Sequence, residues 1–265
     1  MLKFSLCLDP VFEKYDLYDR VRIAADQGFQ GVEFWDPATF DLEMMRRVCD
    51  ENHVAVANMN CFDAWEMNMC ELTDKVLANM RKSLEAGGIL GAKNILVLSG
   101  FGRYGHAPCQ KLIMLENLRH IAGLAKEYGI RVNLEPLNSI VEHKGIELTS
   151  SSDGFEIVKC VNSESIGMVY DIYHMQIMEG NVISNMTRNI GLIGHVHSAG
   201  CPGRHEHFLG ENDYPNILRA IDRAGYNGFV GLEYFPSYDS EKSTRDVLRY
   251  LQTYQNVLEF SSDAD

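Results

Sequence analysis

The chain has 265 residues, of which 46% are hydrophobic and 23% are charged, as is usual for a globular protein with a sizeable core. Its 37 acidic residues outnumber 24 Lys and Arg, and the resulting net charge of −13 opposes binding to nucleic-acid phosphates. No stretch approaches the roughly 18 apolar residues of a membrane span, and Asp9 and Pro10 interrupt the first apolar run, which makes a signal peptide a poor interpretation. We therefore expect neither a nucleic-acid nor a membrane partner.

The cysteines are scattered and form no CxxC pair. Their number is odd, which argues against a closed disulfide framework. We expect reduced thiols and a cytoplasmic protein, since disulfides are rare in that compartment. A homo-oligomer is compatible with this composition. The seven positions are Cys7, Cys49, Cys61, Cys70, Cys109, Cys160 and Cys201.

Predicted strands and helices alternate along the whole chain. The strands are predicted at 3–9, 31–35, 54–60, 93–100, 130–138, 166–174, 192–199 and 228–236. The helices are predicted at 16–28, 41–52, 71–91, 109–129, 151–162, 181–191, 213–226 and 240–260. Eight such units in about 250 residues predict a single-domain (β/α)8 barrel over residues 1–260, with a loose tail at 261–265. An open doubly wound sheet is less favoured, because no glycine follows the first strand to form a phosphate loop.

Polar side chains stand at the carboxyl ends of most predicted strands, where such barrels hold their reactive groups. They are Glu33, Asn60, Ser99, Glu135, Asp171, His197 and Glu233. Glu135, Asp171, His197 and Glu233 follow four consecutive strands, which lie about 4.8 Å apart in a sheet and can bring these groups together. Converging carboxylates repel one another unless a cation joins them. The set predicts one divalent metal ion, Mn²⁺, Mg²⁺, Co²⁺ or Zn²⁺.

Each of these residues also has a structural interpretation when it is taken alone. Glu135 can be a strand-end charge that reaches solvent, and Asp171 can cap the turn that follows it. His195 alternates with Val196 and therefore shares a face with His197. We predict that His195 is structural and hydrogen-bonded inside the barrel. The convergence at four successive strand ends favours the metal site over four separate structural roles.

Further residues are predicted to contact the substrate. His174 lies three positions after Asp171 and can bind a substrate hydroxyl, or can make a polar contact at a helix start. Arg204 lies in a Pro-Gly loop and can neutralise a substrate carboxylate or oxyanion, or can form a surface ion pair. The full set is His174, Arg204, Glu142, His143 and Asn60.

Six motifs resemble the hydroxypyruvate isomerase family, which belongs to the xylose-isomerase-like barrels together with ketose 3-epimerases and endonuclease IV. They cover most of the chain in order: EPLN at 135–138, DIYHMQIMEG at 171–180, GHVH at 194–197, PGRHE at 202–206, NDYP at 212–215 and GLEY at 231–234. The resemblance implies a metal-dependent isomerase of a small hydroxy-carbonyl compound or sugar. It also implies that Glu135, Asp171, His197 and Glu233 bind the metal, with His174 and Arg204 at the substrate.

The sequence departs from this family pattern at two places. Many hydroxypyruvate isomerases carry Gln at the position of His197, whereas the 3-epimerases carry His. The 3-epimerases have a Glu six residues after their first ligand, where this chain has Val141, followed by Glu142. The motifs favour the isomerase branch, and the ligand at position 197 favours the ketose 3-epimerases, which remain the alternative.

The expected reaction is proton transfer through a metal-bound enediolate, with Glu135 and Glu233 as base and acid. A DNA-repair enzyme of the endonuclease IV type is disfavoured by the charge and by the lack of His after the second and third strands, with His106 as one isolated candidate ligand. A catalytically silent sugar-binding barrel is disfavoured by the carboxylate-rich site.

Overall fold

Eight parallel strands close into a barrel in the computed structural model, which describes residues 1–71, 73–101 and 107–256. Each strand pairs with the next along the chain, and the last pairs with the first. This architecture confirms the predicted (β/α)8 fold. The predicted tail at 261–265 and His106 lie outside the described residues, and the domain boundary at residue 260 stays a prediction.

Helices connect successive strands on the outside of the barrel. The strands are β1 Lys3–Cys7, β2 Gly31–Phe34, β3 Ala55–Asn60, β4 Asn94–Leu98, β5 Arg131–Glu135, β6 Ile166–Asp171, β7 Ile193–Ser198 and β8 Phe229–Leu232. The α-helices are α1 Leu8–Val11, α2 Leu17–Asp26, α3 Leu42–Glu51, α4 Thr73–Leu90, α5 Ala107–Tyr128, α6 Ser151–Val161, α7 Ile172–Met178, α8 Val182–Arg188, α9 Tyr214–Arg223 and α10 Ser240–Gln252. Short 3-10 turns occupy Pro37–Thr39, Ile190–Leu192 and Thr253–Asn256.

Polar side chains begin many of the outer helices. Asp16, Asp41, Ser150, Asp213 and Asp239 each accept a hydrogen bond from a backbone N–H in the first turn of the following helix. These N–H groups have no partner inside the helix, so each cap stabilises its helix by about 1 kcal/mol. The predicted starts of these helices agree with the structure to within about a residue.

The clearest error of the sequence prediction is at the end of the sixth strand. The strand was expected to run through His174, but β6 ends at Asp171 and α7 begins at the next residue. Asp171 Oδ1 accepts hydrogen bonds from the backbone N–H groups of Tyr173 and His174, at 2.7 and 3.2 Å, and so starts the helix. His174 consequently lies in the first turn of α7, directly above the barrel mouth. The first strand is also shorter than predicted, since α1 follows β1 directly.

The described cysteine side chains are Cys7, Cys49, Cys61, Cys70, Cys160 and Cys201, and they are free thiols. This agrees with the expected reduced state for these positions. Among the helices of the described residues, none combines the length and apolarity that crossing a lipid bilayer requires.

Candidate metal centre and substrate pocket

The four predicted metal ligands meet at the carboxyl end of the barrel. Glu135 and Asp171 end β5 and β6, His197 is the second-last residue of β7, and Glu233 directly follows β8. One oxygen or nitrogen atom from each of these side chains lies within 4.8 Å of the corresponding atoms of the other three. All four residues are buried. The fold therefore brings together residues that span almost 100 positions of the chain.

The His197 ring lies between two carboxylates that belong to different layers of the barrel. Its Nδ1 faces the centre, 3.0 Å from Glu135 Oε1 and 3.7 Å from Glu233 Oε2. Its Nε2 faces away from the centre, 2.9 Å from Glu33 Oε2. His195 also contacts Glu33, with Nε2 3.0 Å from Oε1, and this contact confirms its predicted structural hydrogen bond inside the barrel.

The candidate metal centre contains more buried acidic groups than positive charges, and this imbalance shifts the pKa values of its residues. Burial raises the pKa of Glu135 to about 7, and the neighbouring Glu233 and Asp171 add to this effect against the hydrogen bond from His197. Burial lowers the pKa of His197, but Glu233 and Glu33 outweigh it and hold that pKa well above its usual value. The protein alone therefore holds extra protons at this centre.

The donor set fits a divalent cation. Three buried carboxylates and one imidazole nitrogen converge, and no thiolate is among them. Such a set suits hard or borderline cations of the Mn²⁺, Mg²⁺, Co²⁺ and Zn²⁺ type, and a cation neutralises the repulsion that otherwise favours protonation. Asp171 can be both a helix cap and a metal ligand, the two roles considered from the sequence. Its Oδ1 caps α7, while its Oδ2 faces the centre.

A pocket of about 240 Å³ opens directly above these residues. The structure places all five predicted substrate contacts in its wall, together with the candidate ligands Glu135 and Glu233. The complete lining is Trp35, Asn60, Trp65, Leu96, Leu98, Glu135, Leu137, Glu142, His143, His174, Arg204, Glu233 and Phe235. The volume lies below the roughly 300–1,000 Å³ usual for drug-sized ligands, so the pocket suits a small substrate.

Arg204 is a buried cation at the wall of this pocket. Its Nη2 contacts Glu233 Oε2 at 2.5 Å and lies 3.9 Å from Asp171 Oδ2, while Nη1 lies 3.3 Å from Glu142 Oε2. Burial lowers the pKa of Arg204, but Glu233 and Asp171 outweigh it and keep the guanidinium charged. The alternative interpretation of Arg204 as part of a surface ion pair is therefore wrong, since its ion pairs lie inside the site.

His174 and Glu142 complete the polar side of the pocket. Burial holds the pKa of His174 well below its usual value, and the charge of Arg204 adds to this shift, so the ring is neutral. Asn138 donates its backbone N–H to His174 Nδ1 at 3.3 Å, which leaves the proton on Nε2. The contact with His143 lowers the pKa of Glu142 to about 2. The ring of His143 in turn stacks on Trp65, with centroids 5.0 Å apart.

Two contributions to the site were not found from the sequence. Phe235 forms part of the pocket wall and packs edge-on against Trp35 at 6.3 Å between centroids, and only its position two residues after Glu233 points to it in the sequence. The sequence marks Glu33 as a polar strand end but assigns it no role. Trp35 also lines the pocket, and its Nε1–H donates to Glu233 Oε1 at 2.5 Å.

The chain is similar to known proteins along almost its whole length. The model of the xylose isomerase-like TIM barrel family matches residues 21–254, a range that contains all four candidate ligands. Hydroxypyruvate isomerase of Escherichia coli is 33% identical over 267 residues, which cover 96% of this chain and 100% of the relative. The chain belongs to the hydroxypyruvate isomerase family of xylose isomerase-like barrels.

The chain is also similar to a second named isomerase and to a solved structure. The 2-oxo-tetronate isomerase of Cupriavidus necator is 32% identical over 245 residues, covering 89% of this chain and 94% of the relative. The crystal structure described as AP endonuclease, family 2 from Brucella melitensis has a TM-score of 0.88 and 28% identity, and covers 94% of this chain and 99% of that chain. As a member of the hydroxypyruvate isomerase family, the protein is an enzyme of the isomerase class, in the sense that includes epimerases.

Proposed function

We propose that the protein is a divalent-metal-dependent isomerase of a short hydroxy-carbonyl acid of the hydroxypyruvate type. The observation that carries this proposal is the convergence of Glu135, Asp171, His197 and Glu233 beside a small pocket that also contains Arg204. The relatives named for hydroxypyruvate and 2-oxo-tetronate both act on carboxylated compounds. Arg204 is the residue in the pocket wall suited to receive such a carboxylate, because a guanidinium binds it through two hydrogen bonds.

Glu135, Asp171, His197 and Glu233 would hold the metal. A bound divalent cation supplies Lewis-acid stabilisation of the negative charge that proton removal places on the substrate oxygens. The other elements of the reaction belong to the chain itself. His174, neutral and protonated at Nε2, offers a donor to a substrate oxygen, and Asn60 offers an amide in the same pocket wall.

Glu135 and Glu233 transfer the proton in this proposal. One carboxylate takes a proton from the hydroxyl-bearing carbon beside the carbonyl group, and the other returns a proton to the carbonyl carbon. The hydroxyl proton passes to the former carbonyl oxygen, so the product has the same composition as the substrate. Both side chains line the pocket, so both can reach the substrate. Trp35, Trp65 and Phe235 give the pocket an apolar wall beside these carboxylates.

Epimerisation at the same site is the second candidate, and His197 favours it because the resembling 3-epimerases carry His at this ligand position. In that reaction the second carboxylate returns the proton to the same carbon from the opposite face. Isomerisation and epimerisation therefore use the same residues and differ in the carbon that receives the proton.

Proton exchange followed by NMR in D₂O tests the proposal. Protein stripped with EDTA is incubated with hydroxypyruvate and with a panel of C3 to C6 ketoses and keto acids, before and after addition of Mn²⁺. We expect Mn²⁺-dependent deuterium incorporation and appearance of the aldehyde isomer of a keto acid. Deuterium with inversion at a ketose carbon identifies an epimerase instead. Metal-independent turnover, or no exchange in any compound, would contradict the proposal.

A matched pair of variants makes this experiment specific. E233Q removes one proposed acid–base carboxylate and should abolish exchange. E241Q removes a carboxylate that contacts Tyr15 and Arg245 and does not line the pocket, so it should leave exchange unchanged.

Incubation of the same preparations with DNA containing an abasic site at low salt tests the activity named for the Brucella melitensis structure, and we expect no nicking. The free thiols described above also support our proposal of a cytoplasmic enzyme.

A further inference from the structure

Glu33 is a buried carboxylate in the layer of the barrel beneath the proposed metal centre. Its side chain is 2% exposed and accepts from four groups. Ser5 Oγ and His195 Nε2 contact Oε1 at 2.5 and 3.0 Å, while Asn58 Nδ2 and His197 Nε2 contact Oε2 at 3.4 and 2.9 Å. Burial raises the pKa of Glu33, but the two imidazoles outweigh it and hold the pKa far below its usual value, so the carboxylate is charged. This much organisation around one acid indicates a specific role.

The backbone of the barrel is irregular at the same residues. The pairing of β2 with β3 shifts register between Val32 and Glu33, and the pairing of β6 with β7 shifts so that Val169 lies opposite His195. Register shifts of this kind redirect a side chain and concentrate near active sites. Here they lie at the two residues that meet across the barrel interior.

Gly231 on β8 leaves the space that Glu33 occupies. A Cβ atom at this position would overlap Glu33 Oε1 and lie 2.9 Å from His195 Nε2. Any side chain larger than hydrogen would therefore require Glu33 and His195 to move from their present positions. Three strands, β2, β7 and β8, are therefore adapted to the same carboxylate.

We propose that Glu33 is a positioning residue that holds the His197 ring with Nδ1 directed at Glu135, Asp171 and Glu233. An imidazole that donates its Nε2–H to a fixed carboxylate keeps the lone pair of Nδ1 for a metal, and the carboxylate also makes the ring a stronger donor. Ser5 and His195 fix Glu33 in turn, because each donates to the oxygen that does not contact His197. This role depends on the proposed metal-dependent function.

The affinity of the stripped protein for Mn²⁺, measured by calorimetry, tests this role without any assay of turnover. We expect E33Q to weaken Mn²⁺ binding by about 10–100-fold, the usual cost of losing a hydrogen-bond partner of a ligand. H207Q is the matched control, because His207 is equally buried but contacts Ser198 instead of a ligand. H207Q should lower the melting temperature while leaving the Mn²⁺ affinity unchanged.

A double-mutant cycle separates action through His197 from a general effect of charge. H197N keeps an amide near the position of Nδ1 and removes the atom at Nε2. If Glu33 acts through His197, E33Q added to H197N weakens Mn²⁺ binding no further. Equal losses from E33Q in the wild-type and H197N backgrounds would overturn the proposal, as would an E33Q affinity within twofold of the wild type.

The experiment distinguishes an E33Q variant that does not fold, and a failure of the proposed metal-dependent function, from a failure of the positioning role. If E33Q does not fold, E33D replaces it, because this variant keeps the charge and withdraws the carboxylate by one methylene group. E33D should weaken Mn²⁺ binding more than H207Q does, and an affinity equal to that of H207Q overturns the role of Glu33. If the wild-type protein itself binds no divalent ion, the metal-dependent function fails first. Wild-type binding that Glu33 variants leave intact refutes the positioning role alone.

Discussion

Asp171 performs two tasks with its two oxygens, and a pair of substitutions can separate them. Oδ1 accepts the backbone N–H groups of Tyr173 and His174 and caps α7, while Oδ2 lies on the side of the proposed metal, 3.5 Å from His174 Nε2 and 3.9 Å from Arg204 Nη2. D171N keeps an oxygen for the cap and replaces one carboxylate oxygen by an amide. D171A removes both functions.

The expected magnitudes follow from these contacts. Asn caps a helix about as well as Asp, whereas Ala at an N-cap costs about 1 kcal/mol. In a chain of this size, about 1 kcal/mol corresponds to a shift of roughly 2–4 °C in melting temperature. In EDTA, D171A should therefore melt roughly 2–4 °C below D171N. Mn²⁺ affinity should not separate the two variants in this way. Both should bind Mn²⁺ more weakly than the wild type by more than the roughly 10–100-fold that removal of an outer hydrogen-bond partner costs.

Thermal unfolding in EDTA and calorimetric titration with Mn²⁺ measure the two effects separately. The control is D213N, which changes a helix cap of α9 that lies outside the pocket wall and should alter neither quantity appreciably. Equal melting temperatures for D171N and D171A would refute the capping role. Binding of Mn²⁺ by D171N with wild-type affinity would refute the assignment of Asp171 as a ligand.

Three further predictions concern Arg204, Glu233 and His207. R204Q should raise KM for a carboxylated substrate by about 10–100-fold, since hydrogen bonds to charged groups contribute about 1.5–3 kcal/mol, and should change KM for a neutral ketose much less. E233Q should lower kcat by at least 10²-fold, the usual minimum for loss of a general acid or base, and near wild-type turnover would exclude the pairing with Glu135. Burial lowers the pKa of His207 to about 3, so between pH 6.5 and 3 the unfolded chain binds a proton that the folded chain does not. As the pH is lowered through that window, the free energy of unfolding should therefore fall by about 1.4 kcal/mol per pH unit more in the wild type than in H207Q, as measured by urea titration in EDTA, and parallel curves would contradict this.

The fold was predictable because short apolar runs typical of strands alternate with segments of helical periodicity, and polar capping residues mark where many of the helices begin. The four candidate ligands were found for a related reason: parallel strands of a barrel end at one rim, so polar residues at consecutive strand ends must meet. The extent of the sixth strand was not predicted correctly. Apolar residues continue on both sides of Asp171 as far as His174, and only the capping geometry of Asp171 shows that a helix has begun.

The supporting contacts of the site could not be found by the same reasoning. Glu33 meets His195 and His197 across the barrel, 162 and 164 positions away, and their contact depends on two register shifts that leave no local pattern. Arg204 enters the site from a loop whose direction is set by pairing with the segment after β8, where Phe235 donates its N–H to the Arg204 carbonyl at 2.8 Å. Contacts between distant segments of this kind require the structure.

Diffraction from crystals soaked in Mn²⁺, recorded near the manganese absorption edge, tests the central claim most directly. We expect one anomalous peak surrounded by Glu135, Asp171, His197 and Glu233, which D171N crystals should lose. An absent peak at that position under saturating Mn²⁺, or a peak that persists unchanged in D171N, would contradict a metal centre built from these four side chains.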